Sequence, residues 1–198
     1  SVQVGLGARF AASATNFRSG PPQATGNPLD MAIIGDGFFA VERPDGTVGY
    51  TRDGSFKTDA AGLVVTNDGY PLVPNITIPA GSSAITVSPS GVISAITADG
   101  GQPQEMGRVS LTLFANPAGL QRVGQNLYEQ GGASGDPQEA APGEAGAGQI
   151  QSEFVEGSNV QVVEEMVRMI LAQRAYEINS KAIQTADEML GTLNSLKR

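Results

Sequence analysis

Asp53 and Asp59 are the residues of this 198-residue sequence that come nearest to a reactive pair. Two carboxylates in a β-rich region can divide the acid and nucleophile roles of glycoside cleavage, which would make the protein a cell-wall carbohydrate-active enzyme. Asp beside Gly, as in Asp53-Gly54, is far more often turn chemistry, and the turn reading is preferred. Other reactive constellations are ruled out by composition. The chain has no His and no Cys, so a Ser-His-Asp triad, a Cys nucleophile, a disulfide framework and a Cys/His zinc site are all impossible. Gly5-Leu6-Gly7 lacks the third glycine and the following helix of a dinucleotide fingerprint. The Asp-Gly pairs do not extend into a calcium-loop pattern. Asn75-Ile76-Thr77 matches a glycosylation acceptor by chance, within a strand whose Ile76 and Ile78 alternate with polar residues. The expectation is no catalytic, cofactor-binding or metal residues, and no cofactor.

Charge and hydropathy narrow the partners. Twelve basic against twenty acidic residues give a net charge of −8. With no basic stripe, a phosphate backbone has nothing to replace its counterions, so nucleic acid is not an expected partner. The longest apolar runs, such as Met31–Ile34 and Phe38–Val41, are four residues long, whereas a membrane span needs about twenty. No membrane span is expected, and the first residues lack the apolar core of a cleaved secretory signal.

The elements that would position any site fall into four stretches. Residues 1–30 are small and polar and read as an extended connector, with a short strand where Val2, Val4 and Leu6 alternate. Residues 31–130 read as an antiparallel β domain able to fold by itself. Asp-Gly recurs at 36–37, 45–46, 53–54, 68–69 and 99–100, as suits two-residue hairpin turns whose central residues take positive φ. Strand-like runs lie between, among them RVSLTLF with Val109, Leu111 and Leu113 on one face. With 26 Gly and 12 Pro but only 7 Phe and 4 Tyr, the core should be mainly aliphatic. Residues 131–158 read as a flexible Gly/Ala-rich loop and return segment, because 131–148 hold no large apolar side chain.

The last stretch, 159–198, is different in kind. Ser158 with Gln161 fits a capping box, Glu164 and Glu165 lie in the opening turns, and Lys197 and Arg198 stand at the end, opposing the helix dipole. Apolar residues recur at Val163, Val167, Ile170, Ile178, Ala182, Ala186, Met189, Leu193 and Leu196. Only Arg174 interrupts the spacing of three and four. A helix of this length outruns a small domain and depends on packing to persist. The spacing predicts a helix over 159–197 whose seam other helices complete. Gln173, Arg174, Glu177, Asn179 and Lys181 are placed to make polar contacts between helices. The fold class is mainly β with α: an antiparallel Gly-rich β domain and one long C-terminal α-helix.

QRAYEINSKAIQTADEML, extended upstream by SNVQVVEEMVRMILAQRAYE, resembles the C-terminal signature of bacterial flagellar rod and hook proteins. NPLDMAIIGDGFFAV at 27–41 and YTRDGSFKTDAAGLVVTNDGYPL at 50–72 resemble the start of that family's β domain. Within the family, ITIPAGSSAITVSPSGVISA at 76–95 is most similar to the distal-rod branch, with the proximal rod and hook branches as alternatives. The resemblance implies a self-assembling structural protein, exported through the flagellar type III apparatus without a cleaved signal. It implies a hollow helical shaft with terminal helices inside and β domains outside, carrying torque from motor to hook. The partners it implies are further copies of the chain, proximal rod subunits, the hook protein, and the P- and L-ring proteins. The implied location is the basal body, in the rod that crosses the periplasm to the outer membrane. Family members open with a helix that pairs with the C-terminal one, and this sequence is expected to start after it. A monomeric adhesion module is the competing non-enzymatic reading; the half-covered helix argues against it.

Overall fold

The computed structural model describes residues 15–97 and 101–196, with side chains as far as Thr192 at the helical end. The strand expected at Val2–Leu6, Gly5–Gly7, the Asp99-Gly100 turn, Lys197 and Arg198 lie outside the described residues, as do the side chains of Leu193 and Leu196. The chain divides into two compact units, Ser1–Ser158 and Asn159–Arg198.

The first unit is built of β-strands, with one 3-10 turn of helix at Pro117–Gly119. Its opening strands are β1 (Pro22–Ala24), β2 (Met31–Ile34), β3 (Phe39–Glu42), β4 (Val48–Thr51), β5 (Phe56–Thr58), β6 (Val64–Thr66) and β7 (Leu72–Val73). Then come β8 (Ser83–Val87), β9 (Val92–Ile96), β10 (Gln104–Arg108), β11 (Leu111–Leu113), β12 (Gln121–Gly124) and β13 (Leu127–Glu129). The last are β14 (Gln138–Ala140), β15 (Gln149–Ser152) and β16 (Phe154–Glu156). All pairings are antiparallel. One sheet has five strands in the order β12-β13-β4-β3-β7 and another has three, β10-β9-β8. The ribbons β1–β16, β2–β15, β5–β6 and β11–β14 complete the unit.

Four turns share one geometry, and it is not the two-residue hairpin expected from Asp-Gly. At Arg43–Thr47, Asp59–Leu63, Thr66–Tyr70 and Ser88–Val92 the first residue's carbonyl accepts from the fourth residue's N–H, a glycine. The first residue's N–H donates to the fifth residue's carbonyl. Only the glycines, Gly46, Gly62, Gly69 and Gly91, have positive φ (79–89°). Each is therefore a three-residue loop in which a left-handed glycine follows an ordinary turn. In three of them the first side chain seals the loop. Asp59 Oδ1 accepts from the Ala61 and Leu63 N–H groups at 2.8 Å. Thr66 Oγ1 and Ser88 Oγ accept from Tyr70 and Val92 at 3.2 and 3.0 Å.

The main core gathers Met31, Ile33, Phe39, Phe56, Val64, Leu72, Ile76, Ile93, Val109, Leu111 and Ile150, each at most 2% exposed. It is largely aliphatic, with Phe39 and Phe56 packed edge to face at 5.1 Å. Five further rings collect in a second cluster, Phe38, Tyr50 and Phe114, joined by Phe17 and Tyr128.

The stretch expected to be a loose loop is built into this body. β14 pairs with β11, Leu111↔Ala140 to Leu113↔Gln138, and β15 pairs with β2 from Gln149↔Ile34 to Ser152↔Met31. Ala147 joins the main core. Ser134, fully buried, donates from its hydroxyl to Gly131 O at 2.8 Å and accepts from Gly131 N–H at 3.1 Å. Backbone pairing needs no large side chain, so low hydrophobicity did not forbid order here. One expected result follows. A fragment of residues 1–158 should give dispersed amide NMR signals, whereas 31–130, without Ile150 and the partners of β2 and β11, should collapse. A well-dispersed spectrum from 31–130 would remove β14 and β15 from the core.

The second unit is α1 (Val162–Leu196), 35 residues and roughly 52 Å long at 1.5 Å per residue. It begins later than the capping box implies: Gln161 supplies the carbonyl that accepts from Glu165 N–H at 3.1 Å. Glu164 and Glu165 occupy the first turn and pair with Arg168 at 3.8 and 2.7 Å, favourable both to one another and to the helix dipole.

Candidate assembly helix

The acidic residues that suggested hydrolysis are structural in this body. Asp53 Oδ1 accepts from Ser55 N–H at 3.1 Å and its Oδ2 from Asn126 Nδ2 at 3.2 Å, while Asp59 seals its own turn as described above. Thr47 hydroxyl and N–H bonds hold the Asp45 carboxyl below its ordinary pKa, the charged state a turn cap requires. Among the described residues no group of three acidic side chains is arranged to hold a metal ion.

The chemistry of the second unit is that of a surface. A single helix has nothing inside its own unit to pack against. Val163 (74% exposed), Val167, Ile170, Ile178 (66%) and Met189 form the expected row, with Ala182 and Ala186 also exposed. Gln173, Arg174, Glu177, Asn179 and Lys181 are likewise exposed. Arg174 and Lys181 stand three before and four after Glu177, so the acidic side chain lies between two cations.

A second row was not anticipated. Val162, Met166, Met169, Tyr176 (77% exposed), Ile183 and Leu190 are all open to solvent. At 3.6 residues per turn Val162, Met169 and Tyr176 lie roughly 100–160° around the helix from Val163, Ile170 and Ile178, whereas Met166, Ile183 and Leu190 stand only roughly 40–60° from Ile170 and Ala186 and link the two rows. From Met169 onward they recur every seven residues, with Gln173, Ser180 and Asp187 at the intervening positions. That is one half of a heptad seam, its alternate places filled by short polar groups. The helix thus presents apolar side chains on two faces. No described helix is long and apolar enough to cross a membrane.

Comparison with known proteins bears on both units. Residues 32–95 match the family described as "Flagellar hook protein FlgE/F/G D1 domain", and residues 151–196 match "Flagellar basal body rod FlgEFG protein C-terminal". The chain is 47% identical over 198 residues to the "Flagellar basal-body rod protein FlgG" of Borreliella burgdorferi, covering 99% of this chain and 75% of that protein. Two paralogues of Caulobacter vibrioides differ in their similarity. Its FlgG is 43% identical over 196 residues (99% of this chain, 75% of that protein), and its FlgF is 34% identical over 192 (91% and 73%).

Proposed function

This chain belongs to the family of flagellar basal-body rod and hook proteins, and from that premise we propose that it builds the distal rod by packing α1 against other copies of itself. It is a structural component of the flagellar basal body and not an enzyme. The observation that carries the packing proposal is the pair of apolar rows on a helix that forms a unit by itself. Eleven large side chains, Val162, Val163, Met166, Val167, Met169, Ile170, Tyr176, Ile178, Ile183, Met189 and Leu190, are half or more exposed, or nearly so. Completing their burial is worth on the order of 10–20 kcal/mol gross, at about 1.5–3 kcal/mol for a fully buried side chain. Losing the freedom of a separate subunit costs about 4–15 kcal/mol. Covering both rows rather than one widens the margin for association, and two-sided cover extends a pair into a continuous wall.

Helices packed side by side in this way form the wall of a hollow shaft, and the shaft carries torque from motor to hook. The axial partners are proximal rod subunits and the hook protein, and the P- and L-ring proteins surround it. The subunit reaches the growing end through the type III export apparatus. The shaft crosses the periplasm to the outer membrane. The wider difference from the FlgF paralogue than from FlgG favours the distal over the proximal rod.

The absence of cysteine makes the polymer reading directly testable. Ile183→Cys in the complete gene product introduces one thiol per subunit, on the second row. A bifunctional thiol reagent spanning about 10 Å, one interhelical distance, should then join neighbouring subunits into covalent dimers in isolated basal bodies. A single monomer band from basal bodies that contain the protein would sink the proposal.

A further inference from the structure

Arg52 follows β4, where it gathers acceptors from segments far apart in sequence. Its Nε donates to Glu156 Oε2 at 2.8 Å, and its Nη1 to Gly37 O at 3.1 Å. Its Nη2 lies 3.1 Å from Ser19 Oγ and Gly35 O and 3.4 Å from Ile33 O. The guanidinium lies over the Phe38 ring, 5.9 Å from the centroid. Arg52 and Glu156 side chains are 13% and 14% exposed.

Both ends of the body meet at this group. Ser19 and Gly20 belong to the incoming connector, and Glu156 closes β16, the last strand before the helical unit. The other Glu156 oxygen, Oε1, accepts from Gly20 N–H at 2.9 Å. The two segments are also zipped together directly, by the β1–β16 ladder and by Gly157 N–H donating to Pro21 O at 3.0 Å. They run so close that a Cβ on Gly20 would stand 1.9 Å from Gly157 O.

We propose that Arg52 is a positioning residue that clasps the incoming and outgoing segments of the β body to each other and to the loop between β2 and β3. A planar, permanently charged group with five donors can serve backbone carbonyls, a hydroxyl and a carboxylate together, the two Nη2 hydrogens being shared among Ser19 Oγ, Gly35 O and Ile33 O; a lysine ammonium cannot. The β1–β16 ribbon is only three pairs long, and β1 is exposed along its length. Without the clasp such a ribbon frays. With it, force on either segment reaches the core through one joint. The clasp stands on the geometry alone, while its mechanical role rests on the rod proposal above.

Hydrogen exchange on the complete chain tests the clasp. In Arg52→Gln the Gly20 and Gly157 amides should exchange at least about tenfold faster, the loss expected when bonds to a charged group are removed. The Val64 and Thr112 amides, bonded to Ile76 O and Phe38 O, should stay within about twofold. Arg52→Lys should recover only part of the protection. Unchanged exchange at Gly20 and Gly157, or an equal rise at Val64 and Thr112, would overturn the clasp, as would full protection in Arg52→Lys. In cells making the complete protein, Arg52→Gln should assemble, and swimming speed should fall more steeply than wild type as viscosity rises. Parallel speed curves with accelerated exchange would remove the load-bearing role and leave the clasp standing. Absence of the wild-type chain from basal bodies would remove the rod proposal instead.

Discussion

Ile178→Asp is expected to abolish rod assembly and motility while the β body melts within about 2 °C of wild type. In the free chain Ile178 is 66% exposed, and a substitution at such a position changes stability by about 0.5 kcal/mol or less, a shift of about 1–2 °C in a unit of this size. Arg174 and Lys181, four before and three after, even offer the new carboxylate weak ion pairs on the helix surface. Packed between helices the same group must shed its water. That costs several kcal/mol even after relaxation and partial pairing, and the cost recurs at every subunit of the polymer. Glu177→Gln, between the same two cations, removes a charge without burying one and should leave motility close to wild type. The checks are the melting curve of the purified chain and the yield of basal bodies bearing hooks. Loss of soluble protein in Ile178→Asp would show the helix to be a folding element of the monomer, contrary to this account.

Gly54→Ala should lower the melting temperature of the body by about 6–12 °C or more. Among the described Asp-Gly glycines Gly54 is the exception: Gly37, Gly46 and Gly69 have positive φ, and Gly54 does not. It is required by proximity, since a Cβ there would stand 1.7 Å from the carbonyl oxygen of Met31 and 2.7 Å from its carbon. Neither side can retreat. Met31 is fully buried, pairs with Ser152 across β2–β15 and donates its N–H to Gly54 O at 2.9 Å. Forcing two anchored backbones apart costs about 3 kcal/mol or more, and each kcal/mol shifts the midpoint of a domain this size by about 2–4 °C. Gly46→Ala makes the control. It has open space around it but φ of +79°, so it should cost only the left-handed penalty of about 1–2 kcal/mol. Melting of Gly54→Ala within 2 °C of wild type would show that the loop slides freely past β2.

The antiparallel class was legible because glycine-marked turns recur between short apolar runs. The turn type was not. Positive φ belongs only to the final glycine of each loop, and the informative residue is three places earlier, at Asp59, Thr66 and Ser88, where an oxygen seals the turn. The stretch after Gly131 was misread because small residues were equated with looseness, whereas β14 and Ser134 are fixed by hydrogen bonds that composition does not reveal. The helix was legible from its spacing of three and four. Its second row was hidden because Gln173, Ser180 and Asp187 break that spacing and leave only a period of seven. Arg52 drew no attention, since its partners lie 15 to 104 residues away along the chain and no local pattern marks it.

The pairing of Pro22 with Glu156 also bears on how such a protein can change over evolutionary time. Paired strands lie about 5 Å apart, so everything between these residues is in effect one large insertion whose ends coincide. Insertions whose ends lie close together are the kind a host tolerates. Gene duplication followed by lengthening, shortening or exchange of that interval would leave the spacing of the flanking segments untouched. Paralogues can therefore acquire bodies of different girth while the segments that lead into and out of the body keep their spacing.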